Sequence, residues 1–125
     1  MLALSDPIGP PAARRPEEAL ELVSLALSDG DLEAAVAQYE RRALLRPWAT
    51  EPARAATVRG LLTGLMALRL PLPVTVCAVL PADDLALILA ERRISGRAPD
   101  GRTVELSGLG STMVRRQPDG AWCIV

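Results

Sequence analysis

Glu91 and Arg93 are the pair in this sequence whose types and spacing best suit chemistry. They stand two apart in residues 85–97, which read as a strand, so their side chains share one face. A carboxylate partly removed from water can act as a general base. A guanidinium beside it, from Arg93 or Arg46, can hold an anionic or carbonyl group. The competing reading is a rim ion pair of small energetic value. His is absent, which excludes His-dependent catalysis and His metal sites. Cys77 and Cys123 are too few and too far apart for a zinc cluster or a disulfide framework. They read as small buried hydrophobes, and neither a metal nor a cofactor is expected.

Tyr39, Trp48 and Trp122 are the only aromatic residues. Tyr39 falls at the end of a helical segment and reads as core, with its hydroxyl finding one partner. Trp48 suits a pocket mouth, and Trp122 reads as packing on a strand. Met66 reads as a core filler on an apolar helix. The doublets Arg41-Arg42, Arg92-Arg93 and Arg115-Arg116 offer an anion-binding surface. Ordinary charged faces explain them better, because 15 acidic residues offset 14 basic ones and the net charge is −1. That balance also excludes a strongly basic nucleic-acid binder. Lys, Asn and Phe are all missing, which points to a GC-rich genome.

The elements that must position these residues follow from the pattern. With 125 residues, half of them apolar, the chain is long enough for one packed domain. Residues 1–15, broken by Pro7, Pro10 and Pro11, read as a flexible tail, and residues 16–125 as the single domain. Apolar residues at helical spacing predict helices over 16–28, 31–40 and 51–69, with a short strand over 43–46 between the last two. Residues 74–80, 85–97, 102–116 and 121–125 read as strands, and Pro-Asp-Gly marks two hairpin turns, at 99–101 and 118–120. Three helices followed by antiparallel strands make an α+β layout. Gly108 and Gly110, on one face of a strand, mark a bend of a curved sheet. No secretory signal and no long apolar span stands out, so a cytoplasmic protein with no membrane contact is expected.

Two local motifs carry a resemblance. The first is Ser28-Asp29-Gly30-Asp31-Leu32-Glu33-Ala34-Ala35-Val36-Ala37-Gln38-Tyr39, and the second is the closing stretch from Val114 through Asp119-Gly120 and Trp122 to Val125. With Asp84-Leu85-Ala86-Leu87-Ile88-Leu89 between them, the chain resembles the nuclear transport factor 2-like superfamily, including its SnoaL-like cyclases and steroid isomerases. The resemblance implies three helices on a curved antiparallel sheet that forms a cone with an internal pocket. It also implies a homodimer formed through the outer sheet face, where Val76, Ile88 and Ile94 are expected among the apolar residues.

The steroid isomerases of that superfamily need an Asp base, a Tyr and a late-strand Asp. Here those slots fall on Arg46 or Pro47, near Val23 and near Thr112, all chemically wrong, so that reaction is not expected. By the same resemblance Leu87, Leu89, Glu91 and Arg93 face the interior of the cone. Glu91 is then the candidate catalytic residue, and Tyr39, Arg46, Trp48, Met66, Leu89, Arg93 and Thr112 are the candidate ligand-binding residues. The leading expectation is a SnoaL-like pocket protein for a small apolar organic molecule, in bacterial secondary metabolism. The alternatives are a cyclase, isomerase or hydrolase using an acid in the cone, and a non-enzymatic dimeric interaction module.

Overall fold

The structure is a computed structural model that describes residues 11–45 and 56–125. Three helices pack against a four-stranded antiparallel sheet of order β3 (Val74–Ala82), β4 (Leu85–Arg97), β5 (Thr103–Arg116), β6 (Trp122–Ile124), with a two-stranded pair, β1 (Leu44–Leu45) and β2 (Ala56–Thr57), beside the third helix. The fold is α+β, as the element order predicts.

Helix α1 (Glu18–Ser28) starts where the Glu18 carboxylate accepts the backbone N–H groups of Arg14 and Arg15, both at 2.8 Å. Those bonds hold the Glu18 carboxyl below its ordinary pKa. Its buried stripe is Ala19, Leu20, Val23, Ala26 and Leu27. Asp29 and a left-handed Gly30 (φ 74°) turn the chain toward α2 (Leu32–Val36). There the Asp31 carboxylate caps the helix, accepting from the Ala34 N–H at 3.1 Å. Helix α3 (Val58–Ala67) is capped by Thr57, whose Oγ1 accepts from the Gly60 N–H at 3.3 Å. This helix, expected from near residue 51, begins only at Val58, because Ala56 and Thr57 pair as a strand with Leu44 and Leu45; residues 51–55 lie outside the described residues.

Helix α2 is shorter than its sequence pattern because tertiary hydrogen bonds take over. The Ile124 N–H donates to the Gln38 carbonyl, and the Glu40 N–H donates to the Ile124 carbonyl, each at 2.7 Å. Residues 38–40 thereby run as an extra parallel edge beside β6 (Trp122–Ile124). The buried Gln38 side chain donates in turn to the Pro11 carbonyl at 2.8 Å. Ala13 is fully buried, and its carbonyl accepts from the Trp122 N–H at 3.0 Å. Residues 11–15, expected within a tail, are thus tied into the fold, while residues 1–10 lie outside the described residues.

The short strand expected over 43–46 is β1 (Leu44–Leu45), paired with β2 (Ala56–Thr57). Strand β3 (Val74–Ala82) pairs with β4 (Leu85–Arg97), and β4 pairs without a break with β5 (Thr103–Arg116). A bulge between Val76 and Ala78 leaves Cys77 exposed, against the expectation of a buried thiol. Ala86, Ile88, Ala90 and Ile94 are buried on the helix side of β4, together with Val114 of β5. Val76 and Val79 of β3 pack on the same core. Because strand side chains alternate, Leu87, Leu89, Glu91 and Arg93 belong to the opposite face. Their expected placement inside the cone is therefore corrected by one residue, and so is the expectation that Val76, Ile88 and Ile94 form the outer face. Among the described residues no helix is long and apolar enough to cross a membrane.

This parity has a direct readout. Ile88→Ala removes a fully buried side chain and is expected to cost about 2–5 kcal/mol of unfolding free energy. Arg93→Gln, on the exposed face, is expected to stay within about 0.5 kcal/mol of the parent. Denaturant unfolding of the two variants checks the pair, and a larger loss for Arg93→Gln would reverse the facing.

Candidate functional site

A cavity of about 440 Å³ lies between the helices and the inner face of the sheet. Its floor is built by β4 and β5. Arg92 and Ile94 face it from β4, and Gly108, Gly110 and Thr112 face it from β5. Val23 and Leu27 of α1, Leu61, Leu62 and Leu65 of α3, and Leu72 form the apolar walls. Tyr39 enters from the segment after α2, held in place by the hydrogen bonds of Gln38 and Glu40 to Ile124. Ser24 also reaches the cavity, but its hydroxyl is already committed to the Leu72 carbonyl.

The two glycines make the room. Arg92 stands directly opposite Gly108, and Ala90 opposite Gly110, so neither β5 partner projects a side chain across the floor. A Cβ added at Gly110 would meet nothing within 4 Å. The Gly pair, expected to mark a bend of the sheet, stands where the floor has open volume.

The electrostatics is one-sided. Among the described lining residues Arg92 is the one charged side chain, and no Asp or Glu is present. Tyr39 is shifted most clearly: burial pushes its phenol up to about 12, and the nearby Arg92 guanidinium opposes that rise. The phenol is therefore a neutral donor at any ordinary pH. Away from the cavity, burial pushes the Cys123 thiol up, and the negative charges of Glu40 and Asp119 add to the rise. That thiol is a poor nucleophile at neutral pH.

Of the residues expected in the site, Tyr39 and Thr112 line this cavity. Met66 lines a second hollow, of about 690 Å³, between the end of α1, α3 and residues 69–72. Leu89 belongs to the outer sheet face, and Glu91 and Arg93 are exposed there. Arg46 and Trp48 lie outside the described residues. Arg92 was missed as a site residue, although its doublet stands out in the sequence. Ile94, an apolar residue between Arg93 and Ser95, is the signal that places the even positions inward. The Arg115-Arg116 doublet is accounted for on the surface: Arg115 pairs with Glu40 at 3.0 Å, and Arg116 with Asp84 at 2.6 Å. Arg116 also lies 6.0 Å from the ring centroid of the buried Trp122.

The architecture has many counterparts among solved structures. A ketosteroid isomerase-like protein from Erwinia carotovora superposes with a TM-score of 0.67 at 16% identity, covering 87% of each chain. A protein of the nuclear transport factor 2-like (NTF2-like) family from Streptomyces avermitilis gives 0.61 at 20% identity, covering 86% of this chain and 88% of its own. A SnoaL-like protein from Shewanella denitrificans gives 0.58 at 11%, covering 89% and 92%. The chain has the nuclear transport factor 2-like fold. No family model matches the sequence, and no curated protein matches it. At these identities the likeness is one of backbone, and the chemistry has to be argued from the side chains on the cavity wall.

Tyr39 is the only tyrosine, so its titration is read without interference from another phenol. Its folded pKa lies above the ordinary value of 10.0, so the neutral form is favoured by folding. That contribution to stability is complete below about pH 10 and is lost as pH rises through about 12. Ultraviolet difference absorbance is expected to show no phenolate below pH 10 in the folded protein. A midpoint near 10 in folded protein would place Tyr39 in water.

Proposed function

We propose that this protein is a small-molecule-binding pocket protein of the SnoaL-like type, whose ligand is compact and largely apolar. One observation carries the reading: a cavity of about 440 Å³ with Leu, Val and Ile walls and a few polar groups at one place. Small-molecule sites are typically concave, mostly apolar and roughly 300–1,000 Å³ in volume, with sparse polar groups that orient the ligand. The ketosteroid isomerase-like and SnoaL-like proteins of the same fold support an organic ligand.

A catalytic role of the cyclase, isomerase or hydrolase kind needs a general acid or base within reach of the reacting atoms. Among the described residues no Asp or Glu side chain lines the cavity, and Glu91 is exposed on the other face. The Tyr39 phenol is too weak an acid to exchange protons near neutral pH. Binding is therefore preferred to turnover. Gly110→Val is expected to keep the fold, because a Cβ there meets open space, while it fills part of the cavity. Native mass spectrometry of protein purified from its own host is expected to find a retained small molecule on the parent and none on Gly110→Val. Equal retention by both would remove the ligand from this cavity.

The protein partner in this reading is a second copy of the chain. Leu80, Leu85, Leu109 and Met113 stand exposed on the outer sheet face, Leu109 at 67%, with Leu87 and Leu89 between them; Leu109 and Met113 also border the cavity. An apolar patch of this kind on one face of a sheet favours association. Sedimentation velocity at micromolar concentration is expected to give twice the chain mass, and Leu109→Arg to halve it. A parent protein that sediments as a single chain would contradict the dimer.

A further inference from the structure

We infer that Arg92 and Tyr39 form an anion-recognition site in the cavity, and that the ligand is an apolar molecule ending in a carboxylate. The inference rests on the pocket reading above and names the class of ligand. Arg92 sits well inside β4, with Ala90 and Ile94 as its neighbours on the same face, both almost fully buried. Its partners across the sheet are Val74 on β3 and Gly108 on β5, neither of which can accept a side-chain hydrogen bond. The guanidinium thus shares a cavity with leucine and valine side chains, and no Asp or Glu side chain among the described lining residues offsets it.

A cation held against apolar walls is costly unless an anion with good hydrogen-bond geometry completes it. The planar fork of a guanidinium fits a carboxylate through two parallel N–H bonds. Tyr39 lines the same cavity, close enough for Arg92 to influence its phenol. Its O–H is a second donor for a carboxylate oxygen. The polar end of the ligand lies at Arg92 and Tyr39, and its apolar remainder lies along Leu27, Leu62 and Leu65. A neutral hydrocarbon would leave the charge uncompensated, and a dicarboxylate would bring a second charge against the leucines.

The test uses two linear probes that differ only at the head, octanoate and octanamide. Each is titrated into the full chain by isothermal calorimetry near neutral pH. Octanoate is expected to bind about tenfold to a hundredfold more tightly than octanamide, the range of a hydrogen bond to a charged group. Arg92→Met is expected to lower octanoate to the level of octanamide while leaving octanamide unchanged. Arg92→Lys is expected to keep part of the preference, because it retains the charge but loses the fork. Circular dichroism establishes that each variant is folded, and if Arg92→Met is not, the parent comparison and Arg92→Lys decide. Equal affinities for acid and amide on the parent would overturn the anion site and leave the pocket reading standing. So would an acid preference that survives in folded Arg92→Met. Binding of neither probe at millimolar concentration would sink both.

Discussion

Strand β4 is hydrogen-bonded to β5 from Leu85 opposite Arg115 to Arg97 opposite Thr103, with no bulge along the way. Side chains alternate with a strict period of two, so the facing of one residue sets that of every other along the ladder. Ile88 is fully buried against the helices, and with it Ala86, Ala90, Arg92 and Ile94 are turned to the same side. The cavity, the Arg92 guanidinium in it and the bare apolar outer face all follow from that one register.

The inner face of the sheet is divided in two. Toward the β3–β4 turn, Ala86, Ile88 and Val114 meet α1 and the closing strand in the main core, where Leu20, Val114 and Ile88 are shielded from water. Toward the other end, Ile94, Ala98 and Val104 form a smaller cluster with Leu68, Leu70 and Leu72. Gly96, at φ 142°, lets Leu70 lie against the strand: a Cβ there would stand 2.6 Å from a Leu70 methyl. Between the clusters the β5 face carries Gly108 and Gly110, and helix and sheet do not close on each other. The cavity is the gap between two packed regions, and Arg92 is the residue that the sheet turns into it.

The closing strand has a role out of proportion to its three residues. It pairs with β5, with Ala13 near the start of the described chain and with the Gln38–Glu40 segment. These backbone bonds end α2 early: the Gln38 and Tyr39 amides still donate within the last turn, to Ala35 and Val36, but the Glu40 amide donates to Ile124 and the Gln38 carbonyl accepts from it instead of continuing the helix. The same bonds position Tyr39 at the cavity. Its position near Arg92 is thus a consequence of sheet closure rather than of helical periodicity.

The sequence by itself determined the α+β class, the order of the three helices and the four sheet strands, and the β4 and β5 strands to within a residue, but not the short strand β2 or the cap at Thr57. Local chemistry decides the features it did determine, through apolar spacing and Asp-Gly turns. It also made Tyr39 and Thr112 legible as pocket residues, through the resemblance of the chain to a cone fold. What it left open was which side of β4 meets the helices. In residues 85–90 every side chain is apolar, and residues 91–93 are all charged, so neither stretch alternates. Ile94, apolar between Arg93 and Ser95, is the one cue to the facing in the sequence; the pairing with β5 and the packing of α1 and α3 decide it, because burying Ile88 and Ile94 forces Arg92, and not Glu91 or Arg93, toward the cavity.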